Sequence, residues 1–359
     1  MRILHVVGAR PNFMKVAPVL HALSKRAGVA QTLVHTGQHY DVNMSDVFFD
    51  QLGIPAPDVN LGVGAGSHAR QTAEIMGRFE PVVLDCNPDW VLVYGDVNST
   101  VAAALVCAKI LIKLGHVEAG LRSFDRTMPE EVNRLVTDQL ADLLFTPSED
   151  ANVNLRREGI PAGKIHLVGN VMIDSLLRLL PLAEKCQLSG IPERYALVTL
   201  HRPSNVDSSA KLKAILDCLV EVNRELGIVF PAHPRTRQRL QEFGLNGSQL
   251  QILDPLPYID FLALQKRATL VITDSGGIQE ETTFLGVPCL TLRENTERPI
   301  TVSIGSNVLV GQDAHKLKGE TRRILHGEAK QSSVPPLWDG QASERIADVL
   351  LESASWSPE

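Results

Sequence analysis

Short runs rich in Val, Ile and Leu alternate with longer amphipathic stretches along the whole 359-residue chain, and this alternation limits the possible folds more than any single motif does. A first series comprises RILHVVG (2–8), TLVHT (32–36), DWVLVYG (89–95), GHVEA (115–119), DLLFTP (142–147) and KIHLVG (164–169). A second comprises YALVTL (195–200), IVFPAH (228–233), LQIL (250–253), ATLVITD (268–274) and PCLTL (288–292). Continuous apolar runs bounded by Gly, Pro or Asp are the mark of parallel strands buried on both faces. Helical patterns lie between them, including EVNRLVTDQLADLL (131–144) and SSAKLKAILDCLVEVNREL (208–226). The chain is longer than one core usually serves. We therefore expect an α/β protein of two doubly wound, Rossmann-like domains, dividing near 169–173 into residues 1–170 and 171–340. The polar stretch GEAKQSSVPPLWDGQ (327–341) reads as a loop before a terminal helix at about 341–354.

Hydrophobic residues make up 44% and charged residues 21%, the balance of a globular protein. A net charge of −6 offers no general attraction to nucleic acid or an anionic membrane, so neither is an expected partner and any anion site is local. Cys86, Cys107, Cys186, Cys218 and Cys289 are scattered, odd in number and without a C-x-x-C pair. That pattern fits reduced thiols in a cytoplasmic protein and gives neither a disulfide frame nor a zinc knuckle. No apolar run is long enough to span a bilayer, and MRILHVVGARPNF lacks the apolar core of a secretion signal.

The run VITDSGGIQEE (271–281) breaks at Ser275, Gly276 and Gly277 into a helical pattern. A helix start presents unpaired N–H groups and a positive dipole end, and glycines let an anion approach closely. Gly-Gly alone favours an ordinary N-capped helix with a tight turn. Glu281, four residues after Gly277, adds a carboxylate suited to ribose hydroxyls and favours nucleotide binding. The dinucleotide fingerprint is missing: after the first strand comes VVGARPNFMK, carrying Arg10 and Lys15 instead. Asp96, Glu118 and Glu130 or Glu131 follow strand ends or open a helix, where the ligand crevice of such sheets lies. Each alone fits a helix cap or dipole partner; together they point to a site. His201 and Arg202 follow one later strand and His233 the next. His35 and His39 lie four apart, but on a strand leading into a turn, with no ligand to complete a metal site.

Together these residues resemble the non-hydrolysing UDP-N-acetylglucosamine 2-epimerases. The likeness runs from GARPNFMKVAPV through YGDVNST, HVEAGLRSFDRTMPEEVNR, VGNVMID and TDSGGIQEE to RENTERP. It implies the GT-B fold, with two Rossmann-like domains facing a cleft and residues of about 341–359 crossing back to the first. It also implies interconversion of UDP-GlcNAc and UDP-ManNAc by a homodimer that needs neither metal nor cofactor. Carried over by motif, Asp96, Glu118 and Glu130 are the catalytic carboxylates. Ser275, Gly276, Gly277 and Glu281 hold the diphosphate and ribose, with Phe261 beside the uracil. Arg10, His201 and Arg298 face the phosphates; Lys15 and His233 belong to the same binding set. Ser204 stands where the family often has glutamate. TGQHYD (36–41) differs from many bacterial members, in which that region helps bind a second, activating UDP-GlcNAc. Its form is similar to relatives acting on 2,3-diacetamido uronic acid sugars, the alternative substrate; a GT-B glycosyltransferase and a non-catalytic nucleotide-sugar sensor are the rival classes.

Overall fold

The computed structural model describes residues 1–38, 51–245, 247 and 249–354, with the side chains of Arg10 and Ala354 outside that description. The chain forms two compact units, Met1–Leu177 with Pro336–Glu359, and Arg178–Pro335. It changes unit inside the helix Val171–Lys185 rather than at 169–173.

Unit 1 is built on β1 (Arg2–Val7), β2 (Ala30–His35), β3 (Val59–Asn60), β4 (Trp90–Tyr94), β5 (Leu114–Val117), β6 (Leu143–Thr146) and β7 (Ile165–Leu167). Among the described residues these make one parallel sheet in the order β3-β2-β1-β4-β5-β6-β7. Unit 2 contains β8 (Tyr195–Thr199), β9 (Gly227–Pro231), β10 (Gln251–Leu253), β11 (Leu270–Thr273), β12 (Cys289–Thr291) and β13 (Asn307–Leu309). Its parallel sheet runs β10-β9-β8-β11-β12-β13. In both, chain order reverses next to the first strand of the unit, between β1 and β4 and between β8 and β11. A crevice opens at the carboxyl ends of such a pair.

Apolar residues sit on both sheet faces because successive side chains alternate. In unit 2, Ala196 and Val198 join one cluster with Leu212, Ile215, Leu216 and Leu219 of the helix Ser209–Val222. Tyr195 and Leu197, one residue out of phase, join another with Leu264 and Val271. In unit 1, Ile75, Phe79 and Val83 recur every four residues on His68–Cys86 and bury one helix face against Leu4, Val6, Val91 and Val93. The short strands β3 and β13 have no counterpart in the expected series. The expected helix 131–144 is Pro129–Leu140, because Leu143 onward is pulled into β6.

The final helix, Ala342–Ala354, packs on Arg10–Ser24 within unit 1. Ala342, Ile346 and Leu350 are fully buried, while Glu344 pairs with Lys25 and Arg26 at the surface. Asp174 closes the helix start by accepting from the Ala342 and Ser343 N–H groups at 3.2 and 2.7 Å. Behind the strand ends lies a buried ionic cluster. Asp138 faces His116 Nδ1 at 2.6 Å and Arg122 Nη2 at 2.7 Å and accepts from the Gly120 N–H. His116 Nε2 donates to the Gly95 carbonyl at 2.8 Å. One carboxylate therefore braces the turns after β4 and β5.

Two outcomes are expected. Ile346→Ala should lower the unfolding free energy by about 2–5 kcal/mol, the usual cost of emptying such a core site; an unchanged urea midpoint would show that the final helix is not docked. Burial alone would raise the Asp138 pKa, but the charges and hydrogen bonds of His116 and Arg122 outweigh it and hold it below 3.8. A depressed folded-state pKa contributes stability that is present above the unfolded value and lost as pH falls through the folded one. Urea midpoints should therefore hold from pH 7 to about 5 and fall below about pH 4, with a shallower fall in Asp138→Asn. A wild-type midpoint that does not fall in acid would contradict the ionised cluster.

Candidate functional site

In unit 1 the turn after β1 and the turn after β4 are joined by Asn12. Its Oδ1 accepts from the N–H groups of Gly8 and Ala9 at 3.1 and 3.0 Å, and its Nδ2 donates to the Tyr94 carbonyl at 2.7 Å. Gly95 has φ +64°, and a Cβ there would lie 2.5 Å from Lys15 Nζ, so this turn requires glycine. Lys15 forms a buried ion pair with Glu118. Glu118 itself has φ +71°, a left-handed conformation that costs an ordinary side chain about 1–2 kcal/mol. Strain of this kind at a strand end is a signature of functional sites.

Asp96 and Glu130 line one pocket of about 320 Å³ with Gln38, His68, Gln71, Asn98 and Asn133. The amides are cross-linked: Asn98 Nδ2 donates to Gln71 Oε1 at 2.8 Å, and Gln38 Oε1 accepts from Ser99 Oγ at 2.7 Å. Asp96 is paired with Arg134, and Asn133 Nδ2 donates to the Asp96 carbonyl at 2.8 Å. The two glutamates at the start of Pro129–Leu140 have separate fates. Glu131 is buried and accepts from Ser123, Phe124 and Arg134, whereas Glu130 opens into the pocket.

In unit 2, Asp274 follows β11 and reaches across to the end of β8. Its carboxylate accepts from the His201 N–H, the Arg202 N–H at 3.0 Å and Asn205 Nδ2 at 3.0 Å, and it lies 2.9 Å from His201 Nδ1. Burial would raise the Asp274 pKa; the bonds to His201 and its neighbours reverse that and lower it. The His201 and His233 rings lie 5.7 Å apart. Ser275 precedes the helix Gly276–Leu285, whose first turn meets Arg298: a Cβ on Gly276 would collide with that guanidinium. Glu297 gathers Arg293 at 2.6 Å, Arg298, and Arg202 at 3.8 Å. Burial and repulsion from Arg293 lower the Arg202 pKa, a sign of concentrated positive charge. An anion at this helix start would relieve it.

Glu281 is buried, and its Oε1 accepts from the Tyr258 hydroxyl at 2.8 Å. Phe261 is half-buried, packed on the cluster of Tyr195, Leu197 and Leu264. Arg298 also pairs with Glu280 at 2.9 Å. His35 is buried, stacked on Phe13, and accepts from the Gly37 N–H. His39, Tyr40, Asp41 and the Arg10 side chain lie outside the described residues. Among the described residues no three His, Cys, Asp or Glu side chains gather as a metal site, and no helix is long and apolar enough to cross a membrane. Asn12, Arg134, Asp274 and Glu297 were not singled out by the sequence reading. Helical spacing gave one signal for Arg134, three residues after Glu131.

A sequence model of the family described as UDP-N-acetylglucosamine 2-epimerase matches residues 21–351. The UDP-N-acetylglucosamine 2-epimerase of Methanocaldococcus jannaschii is 43% identical over 364 residues, covering 98% of this chain and 99% of that protein. The UDP-2,3-diacetamido-2,3-dideoxy-D-glucuronate 2-epimerase of Pseudomonas aeruginosa is 43% identical over 355 residues, covering 98% of this chain and 100% of that protein. The crystal structure of the M. jannaschii UDP-GlcNAc 2-epimerase in complex with UDP-GlcNAc and UDP superposes with a TM-score of 0.91 at 42% identity, covering 98% of this chain and 100% of that one. With its two parallel doubly wound sheets of the GT-B fold, the chain belongs to the UDP-N-acetylglucosamine 2-epimerase family.

Proposed function

We propose that this enzyme interconverts UDP-GlcNAc and UDP-ManNAc by eliminating UDP and adding it back. The C2 proton of a 2-acetamido sugar has no adjacent carbonyl to stabilise a carbanion, so direct deprotonation is too slow. Elimination avoids the carbanion. A carboxylate takes the C2 proton, the C2–H electrons form the C1–C2 double bond, and the C1–O bond breaks with its electron pair leaving on UDP. The intermediate is 2-acetamidoglucal. In the return step a carboxylic acid protonates the opposite face of C2, and the UDP oxygen adds to C1. Opposite faces require two proton-transfer groups, drawn from Asp96, Glu118 and Glu130.

Expulsion of UDP requires stabilisation of a diphosphate. The Ser275, Gly276 and Gly277 helix start, Arg298 and His201 fill that role, with Arg10, Lys15 and His233 as further polar groups of the binding set. Glu281, oriented by the Tyr258 hydroxyl, receives the ribose, and Phe261 lies beside the uracil. The observation that carries the reading is the pairing of Asp96 and Glu130 in one pocket of a chain matched to this family over nearly its full length. A uronate would add to the sugar a carboxylate seeking a cation. The described lining residues include no Lys or Arg, which favours the neutral sugar. All five cysteines are free, in keeping with a reducing cytoplasm, and the family resemblance supports a homodimer.

Purified enzyme given UDP-GlcNAc alone should form UDP-ManNAc to an equilibrium mixture, while the diacetamido uronate substrate turns over much more slowly. Strict dependence on a sugar acceptor would identify a glycosyltransferase, and binding without turnover a sensor; either outcome removes the proposal.

A further inference from the structure

Asp96 is held at two points by adjacent residues of one helix. Asn133 fixes its carbonyl, and the Arg134 Nη1 group fixes its carboxylate. That helix, Pro129–Leu140, also carries Glu130 into the same pocket. Arg134 is buried, and the rest of its guanidinium is committed to Glu131, with Nη2 donating to Oε2 at 2.6 Å and Nε to the same oxygen at 3.1 Å. Glu131 in turn accepts from the Ser123 N–H at 2.9 Å, Ser123 Oγ at 3.0 Å and the Phe124 N–H at 2.9 Å. Phe124 has φ +58° and is 76% exposed. Such a conformation costs an ordinary side chain about 1–2 kcal/mol, so something must hold the loop in place. Glu131 is that anchor. A continuous chain of charge-assisted bonds runs from the 121–128 loop through Glu131 and Arg134 to Asp96.

We infer that Arg134 is a positioning residue for the reaction, aligning the Asp96 carboxylate against Glu130, and that Glu131 serves to aim Arg134 rather than to touch the sugar. The inference rests on the epimerase reading for the identity of the reaction. Only a planar fork reaches two carboxylates on different sides at once. Lysine keeps the charge but cannot hold both. Among the described residues, the other ionisable side chains around the Asp96 turn are His68 and Glu130 in the pocket, Lys15 beside Gly95 with its partner Glu118, and His116 bonded to the Gly95 carbonyl.

The test compares Arg134→Lys, Arg134→Ala and the double variant Arg134→Ala/Glu131→Gln, which removes the orphaned buried charge and keeps a folded protein available for assay. In Arg134→Lys, kcat should fall by about 10- to 100-fold, the scale of a misplacement near 1 Å. KM and the Kd for UDP should change by less than about threefold, since binding lies elsewhere. Added guanidinium ion should restore part of kcat in the double variant, and a crystal structure of Arg134→Lys should show the Asp96 carboxylate displaced. Wild-type kcat in Arg134→Lys, an unmoved Asp96, or a parallel loss of kcat, KM and UDP binding would overturn the inference. If the wild-type enzyme proves to act on a different UDP-sugar, the substrate reading falls. The same comparison on that sugar, and the position of Asp96, still decide the role of Arg134.

Discussion

Where two neighbouring parallel strands send their chains in opposite directions, their last N–H and C=O groups lose ladder partners just where the crevice opens. The structure depends on how those groups are satisfied. In each unit one buried polar side chain does it. Asn12 joins the ends of β1 and β4, and Asp274 joins the ends of β8 and β11. Around these pins lie Gly95, Asp96 and Lys15 in unit 1, and His201, Arg202 and Ser275 in unit 2. Apart from the additional edge strand β7 of unit 1, the two sheets share a strand order, and they use different side chains for the same structural task.

Charge is managed in the same local way. Buried carboxylates without a partner are costly, so Glu118 meets Lys15 and Asp138 meets His116 and Arg122, while the partly exposed Asp96 meets the buried Arg134. Glu297 is held far below the usual carboxylate range: burial opposes this, but Arg298 and Arg293 overcome it. Glu130 differs, since it faces the pocket with no ion pair among the described residues. A site with paired and unpaired carboxylates side by side is suited to moving a proton between two faces of one carbon.

Much of this was legible in the sequence. The strands in the first and second series are long apolar runs, and buried parallel strands leave that trace. The edge strands β3 and β13, two and three residues long, carry too few positions to show a pattern. The Ser-Gly-Gly turn and the carboxylates after β4 and β5 were visible because residue type and position at a strand end coincide. Asn12, Arg134 and Asp274 were not, because an ordinary polar residue acquires its role only from neighbours distant in sequence, such as Tyr94 for Asn12 and Asp96 for Arg134. Glu281 was read from spacing as a ribose carboxylate; Tyr258, 23 residues earlier, supplies a hydroxyl partner that spacing cannot reveal.

The central claim is that the C2 proton leaves to a protein carboxylate while UDP departs from C1. Incorporation of solvent deuterium at C2 measures this most directly. In D2O, UDP-ManNAc formed by the enzyme should carry deuterium at C2, and Glu118→Gln or Glu130→Gln should abolish its formation while leaving UDP binding intact. Product that keeps the substrate's own C2 hydrogen in full, without exchange at any stage, would contradict the account.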